Sequence, residues 1–76
     1  MKSLRKDNME KFAERFKALR KEKGLSTFAL GKALNVNDST ITRWENGVII
    51  PSILHLRNIA TFFDVSADYL IGLVDY

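Results

Sequence analysis

The chain has no cysteine among its 76 residues, one histidine, one proline and four glycines. Without thiols there is no disulfide framework and no thiolate metal centre, and His55 alone cannot hold a metal ion. Long apolar runs are missing too. Met1 to Lys23 is broken by a charge every few residues, which excludes a signal peptide or a membrane span there. No glycine-rich phosphate loop, metal-ligand cluster or nucleophile elbow is present, so the expectation is a non-enzyme that needs no cofactor. Repeats, linkers and low-complexity stretches are likewise absent. Stability must come from packed apolar side chains, and a chain near this size buries only about 60 to 65% of the surface its unfolded form exposes. One small cytoplasmic domain over residues 1–76, with its core within about 9–72, is expected.

What is present is a charge asymmetry. Residues 1–24 carry nine Lys or Arg against four acids, and residues 25–76 carry three against five. A basic half of this kind suits a polyanionic partner. By charge alone, a solvated helix face that keeps a small protein soluble is the stronger explanation.

Apolar positions Met9, Phe12, Phe16 and Leu19 recur at helical spacing, with Lys11, Glu14, Arg15, Lys17 and Lys21 on the other faces, and Gly24 supplies a stop. Ser26 can cap a second helix from Thr27 to Leu34, with Leu30, Ala33 and Leu34 inward. Asn35-Val36-Asn37 breaks the chain, Asn35 being the non-glycine residue that enters the left-handed region most easily. A third helix runs from about Asp38 to Asn46, with Ile41 and Trp44 inside. Ser52 caps a fourth with the stripe Ile53, Leu56, Ile59, Ala60 and Phe63, and Ser66 caps a short fifth before Gly72. His55 reads as solvent-facing. The fold class is all-α: five helices and no strands.

Thr27 to Trp44 is the informative stretch. Gly31 costs its helix about 1 kcal/mol relative to alanine, and close approach of the third helix would explain it. Two short helices joined by a three-residue turn over a core of Leu30, Leu34, Val36, Ile41 and Trp44 have the spacing of a helix-turn-helix unit, and also of a plain helical hairpin in a bundle. More specific are Trp44-Glu45-Asn46-Gly47, then Pro51-Ser52, then Val65-Ser66-Ala67-Asp68-Tyr69-Leu70-Ile71-Gly72. With these, the chain resembles the phage repressor and Cro-type (XRE) helix-turn-helix family over roughly Phe12 to Gly72.

The resemblance implies a compact five-helix, lambda-repressor-like DNA-binding domain with its third helix in the major groove of an operator. Base contacts would then fall to Asn37, Asp38, Ser39, Thr42 and Arg43. Of these, Arg43 is best suited to fork two hydrogen bonds onto guanine, and Asp38, which can only accept, equally suits the helix dipole. Phosphate contacts would fall to Thr27, Lys32, Thr40 and Asn46, with Arg20 or Lys21 nearby. Arg20 and Glu45 would form a buried ion pair tying the third helix to the first. Two departures weaken the backbone anchors: Thr27 stands where the family often has Gln, and Val48, Ile49 and Ile50 where it often has basic residues. Lys2, Arg5 and Lys6 are expected to compensate.

Repression is the expected regulatory outcome, by a homodimer. Leu54 and Phe62 on the flank of the fourth helix, with Leu73, Val74 and Tyr76 after the fifth, are the expected apolar pairing patch; the alternative has Leu73 to Tyr76 folding back over the core of a monomer. A module acting through a partner protein, such as an antitoxin, is the competing function, supported by the Val48-Ile49-Ile50 loop. A membrane-surface peptide is disfavoured, because Glu10, Glu14 and Glu22 interrupt the basic face.

Overall fold

A computed structural model describes the backbone from residue 4 and side chains from residue 10. Five helices follow one another: α1 (Leu4–Glu22), α2 (Thr27–Leu34), α3 (Asp38–Glu45), α4 (Ile53–Phe63) and α5 (Ala67–Leu70), with no strand among the described residues. Among the described residues, no helix is long and apolar enough to cross a membrane. The α1 helix starts about five residues before the apolar stripe that signals it, because nothing from Leu4 to Asn8 breaks a helix once one has formed downstream.

All five helices stop in the same way. Gly24, Asn35, Gly47, Asp64 and Gly72 adopt left-handed backbone, and in each case the next residue's N–H reaches back five residues to a carbonyl: Leu25 to Arg20, Val36 to Gly31, Val48 to Arg43, Val65 to Ala60 and Leu73 to Asp68. These are Schellman motifs, which satisfy carbonyls that a helix end leaves unpaired. The residue after each left-handed position is apolar. Leu25, Val36 and Val65 turn onto the core, whereas Val48 and Leu73 stay exposed.

Asn35 holds φ 62°, a region where an L side chain costs about 1 to 2 kcal/mol in general and asparagine rather less. Asn35→Gly is therefore expected to raise stability by up to about 1 kcal/mol, and Asn35→Ala to lower it by a similar amount. Urea midpoints of the two variants should move in opposite directions from the parent.

Phe16 is fully buried at the centre of the core. Its ring meets Phe12 at 5.3 Å stacked, Trp44 at 5.8 Å edge-on and Phe63 at 6.2 Å edge-on. Leu30, Leu34, Ile41, Ile59 and Leu70 complete the buried cluster. The α2 helix packs chiefly on α3, while α1 spans α3 and α5, and α4 spans α2 and α5.

Several expectations are corrected. Ile53, assigned to the inner stripe, is 87% exposed, and Ala33 is exposed as well. Phe62 lies half-buried against the core, 5.0 Å from the Phe63 ring, and so forms no part of an exposed patch. A Cβ at Gly31 would sit 2.7 Å from the Val36 carbonyl oxygen and 3.3 Å from the Asp38 nitrogen. The close approach is thus by the backbone of the turn, reaching the third helix only at its first residue.

Arg15, placed by periodicity on a solvated face, is a strap. Its guanidinium lies 4.2 Å over the Tyr69 ring and donates to the Tyr69 and Val74 carbonyls, with Asp75 at 3.7 Å. This ties residues 74 and 75 to α1, while Leu73 and Tyr76 remain exposed.

Candidate nucleic-acid interface

The α3 helix is fixed from within and open on its outer face. Ile41 and Trp44 are buried, and Glu45 at its last turn meets Arg20 of α1 in a two-pronged pair, Nε to Oε2 at 2.5 Å and Nη2 to Oε1 at 3.0 Å. The Arg20 Nη1 donates in addition to the Leu25 carbonyl at 2.8 Å, holding the connection between α1 and α2. Both side chains are largely out of solvent, 13% and 5% exposed. The hydrogen bond to Glu45 raises the Arg20 pKa most; burial opposes this, and the carboxylate's charge adds to it. The arginine therefore keeps its charge at any ordinary pH.

With one flank clamped, α3 presents Asp38, Ser39, Thr42 and Arg43 to solvent, with Asn37 before it and Asn46 after it. Their spacing of three and four residues puts Ser39, Thr42, Arg43 and Asn46 along one outward face, opposite Ile41 and Trp44. Asn37 is the exceptional cap. Ser26, Ser52 and Ser66 each accept a hydrogen bond from the backbone N–H three residues on, to Ala29, His55 and Tyr69, whereas the Asn37 side chain makes no capping bond. Its amide keeps donor and acceptor available for an outside partner. Thr42 differs again: its hydroxyl donates to the Asp38 carbonyl at 3.2 Å, which leaves its oxygen lone pairs and methyl group to face outward.

Of the residues tied to phosphate by resemblance, Thr27 is half-buried at the start of α2, and Lys21 is exposed at the end of α1. Lys32 and Thr40 are brought together. With Asn35, Asn37 and His55 they line one open cavity of about 530 Å³ behind the turn. The Lys32 ammonium also lies 5.7 Å over the exposed Phe28 ring. His55 is half-buried rather than solvent-facing, its ring 5.4 Å from Trp44 and its Nδ1 3.1 Å from the Ser52 hydroxyl. The side chains of Lys2, Arg5 and Lys6 lie outside the described residues.

Sequence reasoning missed His55 as a member of this group, since nothing local signals its contact with a ring eleven residues earlier. Val48, Ile49, Ile50, Ile53 and Leu54 form a run of exposed apolar residues from the end of α3 into α4.

A profile of the helix-turn-helix family matches residues 16–70. The chain is also similar to the HTH-type transcriptional activator BcrR of Enterococcus faecalis, 34% identical over 61 residues. That match covers 80% of this chain and only 30% of the relative's length. No solved structure matches the chain. With the match running from the middle of α1 to the end of α5, across the turn and both its helices, the chain belongs to the XRE-type helix-turn-helix family of DNA-binding domains.

Proposed function

We propose that the chain is a sequence-specific regulator of transcription that lays α3 in the major groove of double-stranded DNA. The observation that carries this is the geometry of α3: a two-turn helix buried on one side, clamped at its end by Arg20, and lined on the other side by exposed side chains with base-reading chemistry. Arg43 reads guanine through two donors, Asn37 suits adenine, Ser39 and Thr42 pair with several base edges, and Asp38 accepts from cytosine. Thr27, Lys32, Thr40, Asn46 and Lys21 hold the sugar-phosphate backbone and fix the register.

The regulator works in the cytoplasm as a two-fold homodimer on a symmetric operator, because one domain this small makes few base contacts. Leu73 and Tyr76, with the exposed run from Val48 to Leu54, supply apolar surface for pairing or for a partner protein. Repression is the proposed outcome, since occupying an operator blocks polymerase without a further contact. The relative named as an activator makes the opposite sign the natural control in a reporter assay.

Selection of bound duplexes from random DNA tests the core of the proposal. The expected result is a pseudo-palindrome with half-sites about 34 Å apart. Affinity should fall with salt, the logarithmic slope being about −0.9 for each phosphate neutralised. No enriched sequence, or salt-insensitive binding, would overturn direct DNA recognition and leave the exposed apolar loop as the working surface. Sedimentation with and without the selected duplex decides assembly, one protomer per site at saturation being the result that removes the dimer.

A further inference from the structure

We propose that the cavity behind the turn is a DNA-phosphate subsite in which His55, protonated, contacts a backbone phosphate and couples operator affinity to pH. This rests on the proposed DNA recognition. The cavity is lined by Gly31 and Val36 and by the polar side chains of Lys32, Asn35, Asn37, Thr40 and His55. Every one of these side chains offers a donor, and no carboxylate lines the space, a composition that suits an anion and disfavours a cation. It opens beside the first residues of α3, so a strand bordering the groove that α3 enters passes within reach.

The local chemistry lets His55 act in either protonation state. The Ser52 oxygen already accepts from the His55 backbone N–H at 3.2 Å, and its hydroxyl faces Nδ1 at 3.1 Å. The hydroxyl proton can donate to the neutral ring, and after protonation the serine oxygen's remaining lone pair can accept from Nδ1. Nε2 is thus the nitrogen available to a ligand in both cases, and protonation adds the charge. Among the groups packed around the ring, α2 presents Lys32, α3 presents only the uncharged Thr40 and Trp44, and Asp38 at the start of α3 does not line the cavity. On α4 itself, Arg57 lines other cavities, toward α5 and toward the end of α2. The one permanently charged side chain lining the cavity with His55 is therefore cationic, and a phosphate would relieve the repulsion between Lys32 and a charged His55.

His55 is the chain's one histidine, which makes the test clean. Binding to the selected duplex is measured from about pH 8 down to about pH 6, where histidine gains its proton. Affinity should tighten about fivefold, the gain of a neutral hydrogen bond becoming charge-assisted. The salt slope should steepen by about 0.9, for one additional phosphate. His55→Gln keeps a neutral donor but cannot gain a charge; whatever its affinity, that affinity should be the same at about pH 8 and about pH 6, and the comparison also subtracts any contribution of the terminal amine.

Flat parental binding across the range, or the same pH response in His55→Gln, overturns the proposal while leaving DNA recognition intact. Failure of the parent to bind any duplex instead removes the reading beneath it. Should His55→Gln fold poorly, the parent's salt slope at the two pH values still decides. His55 ring resonances should move on adding duplex and stay in place with inorganic phosphate at matched concentration; equal movement with both would reassign the cavity to free anions.

Discussion

Arg20→Ala and Glu45→Ala are each expected to lose about 3 to 5 kcal/mol of unfolding free energy, because each leaves the opposite charge without a partner in a site nearly closed to water. A domain of this size has about 5 to 15 kcal/mol in all. Both single variants should therefore be partly unfolded at ambient temperature, with urea midpoints well below the parent's. The two losses are not equivalent. Arg20 also donates to the Leu25 carbonyl, so its removal should cost about 1 kcal/mol more than that of Glu45. Arg20→Lys should not rescue, since an ammonium cannot present two donors to one carboxylate and a third to a carbonyl. Replacing both residues together, Arg20→Met with Glu45→Leu, should recover much of the deficit by substituting apolar packing for the paired charges. The arginine pKa is raised in the folded state, so its contribution is complete below the unfolded value and fades only as pH climbs through the higher folded one. On the arginine side, the deficit should therefore be the same at every pH from mildly acidic to mildly alkaline. Midpoints within error of the parent for both single variants would show that the pair carries no net load.

The parts of the fold written in short-range grammar were legible from the chain. Ser26, Ser52 and Ser66 announce helix starts, Gly24, Gly47 and Gly72 announce ends, and Asn35 declares the turn, because each acts on backbone groups three to five residues away. Ile53 shows where periodicity stops being informative. It continues the stripe of Leu56, Ile59 and Phe63, but it is the first residue of α4, and no described element covers it.

Arg15 and His55 show a different limit. Their partners are the carbonyls of Tyr69 and Val74 and the ring of Trp44, groups brought near by tertiary packing and carrying no mark in the neighbouring sequence. A basic residue on an amphipathic helix reads as solvated until the chain's far end is placed beside it. The Thr42 hydroxyl lies between these cases: its bond to the Asp38 carbonyl spans four residues, and a rule for threonine in helices finds it without a structure. At the candidate interface, the residue types on α3 were legible, whereas the grouping of Lys32, Thr40 and His55 around one cavity depends on how α4 is packed against the turn.

Arg43→Ala should show the reverse of the ion-pair signature: stability unchanged, recognition lost. Arg43 is exposed on the outer face of α3, and surface substitutions away from caps and buried networks usually alter stability by no more than about 0.5 kcal/mol. If its guanidinium reads a guanine through two donors, truncation should cost about 1 to 3 kcal/mol on the selected duplex, a loss of about 5- to 150-fold in affinity, and should relax preference at one base pair in each half-site. Lys32→Ala supplies the contrast. As a phosphate contact it should weaken selected and scrambled duplexes alike and reduce the salt slope by about 1. Arg43→Lys should recover affinity on both duplexes more than it recovers discrimination, because an ammonium keeps the charge and loses the fork. The deciding measurement is the ratio of affinities for selected and scrambled duplexes, taken at one salt concentration for the parent and the three variants. That ratio should fall for Arg43→Ala and hold for Lys32→Ala. Equal weakening of both duplexes by Arg43→Ala would move Arg43 to the backbone and leave the reading of the bases to Asn37, Ser39 and Thr42.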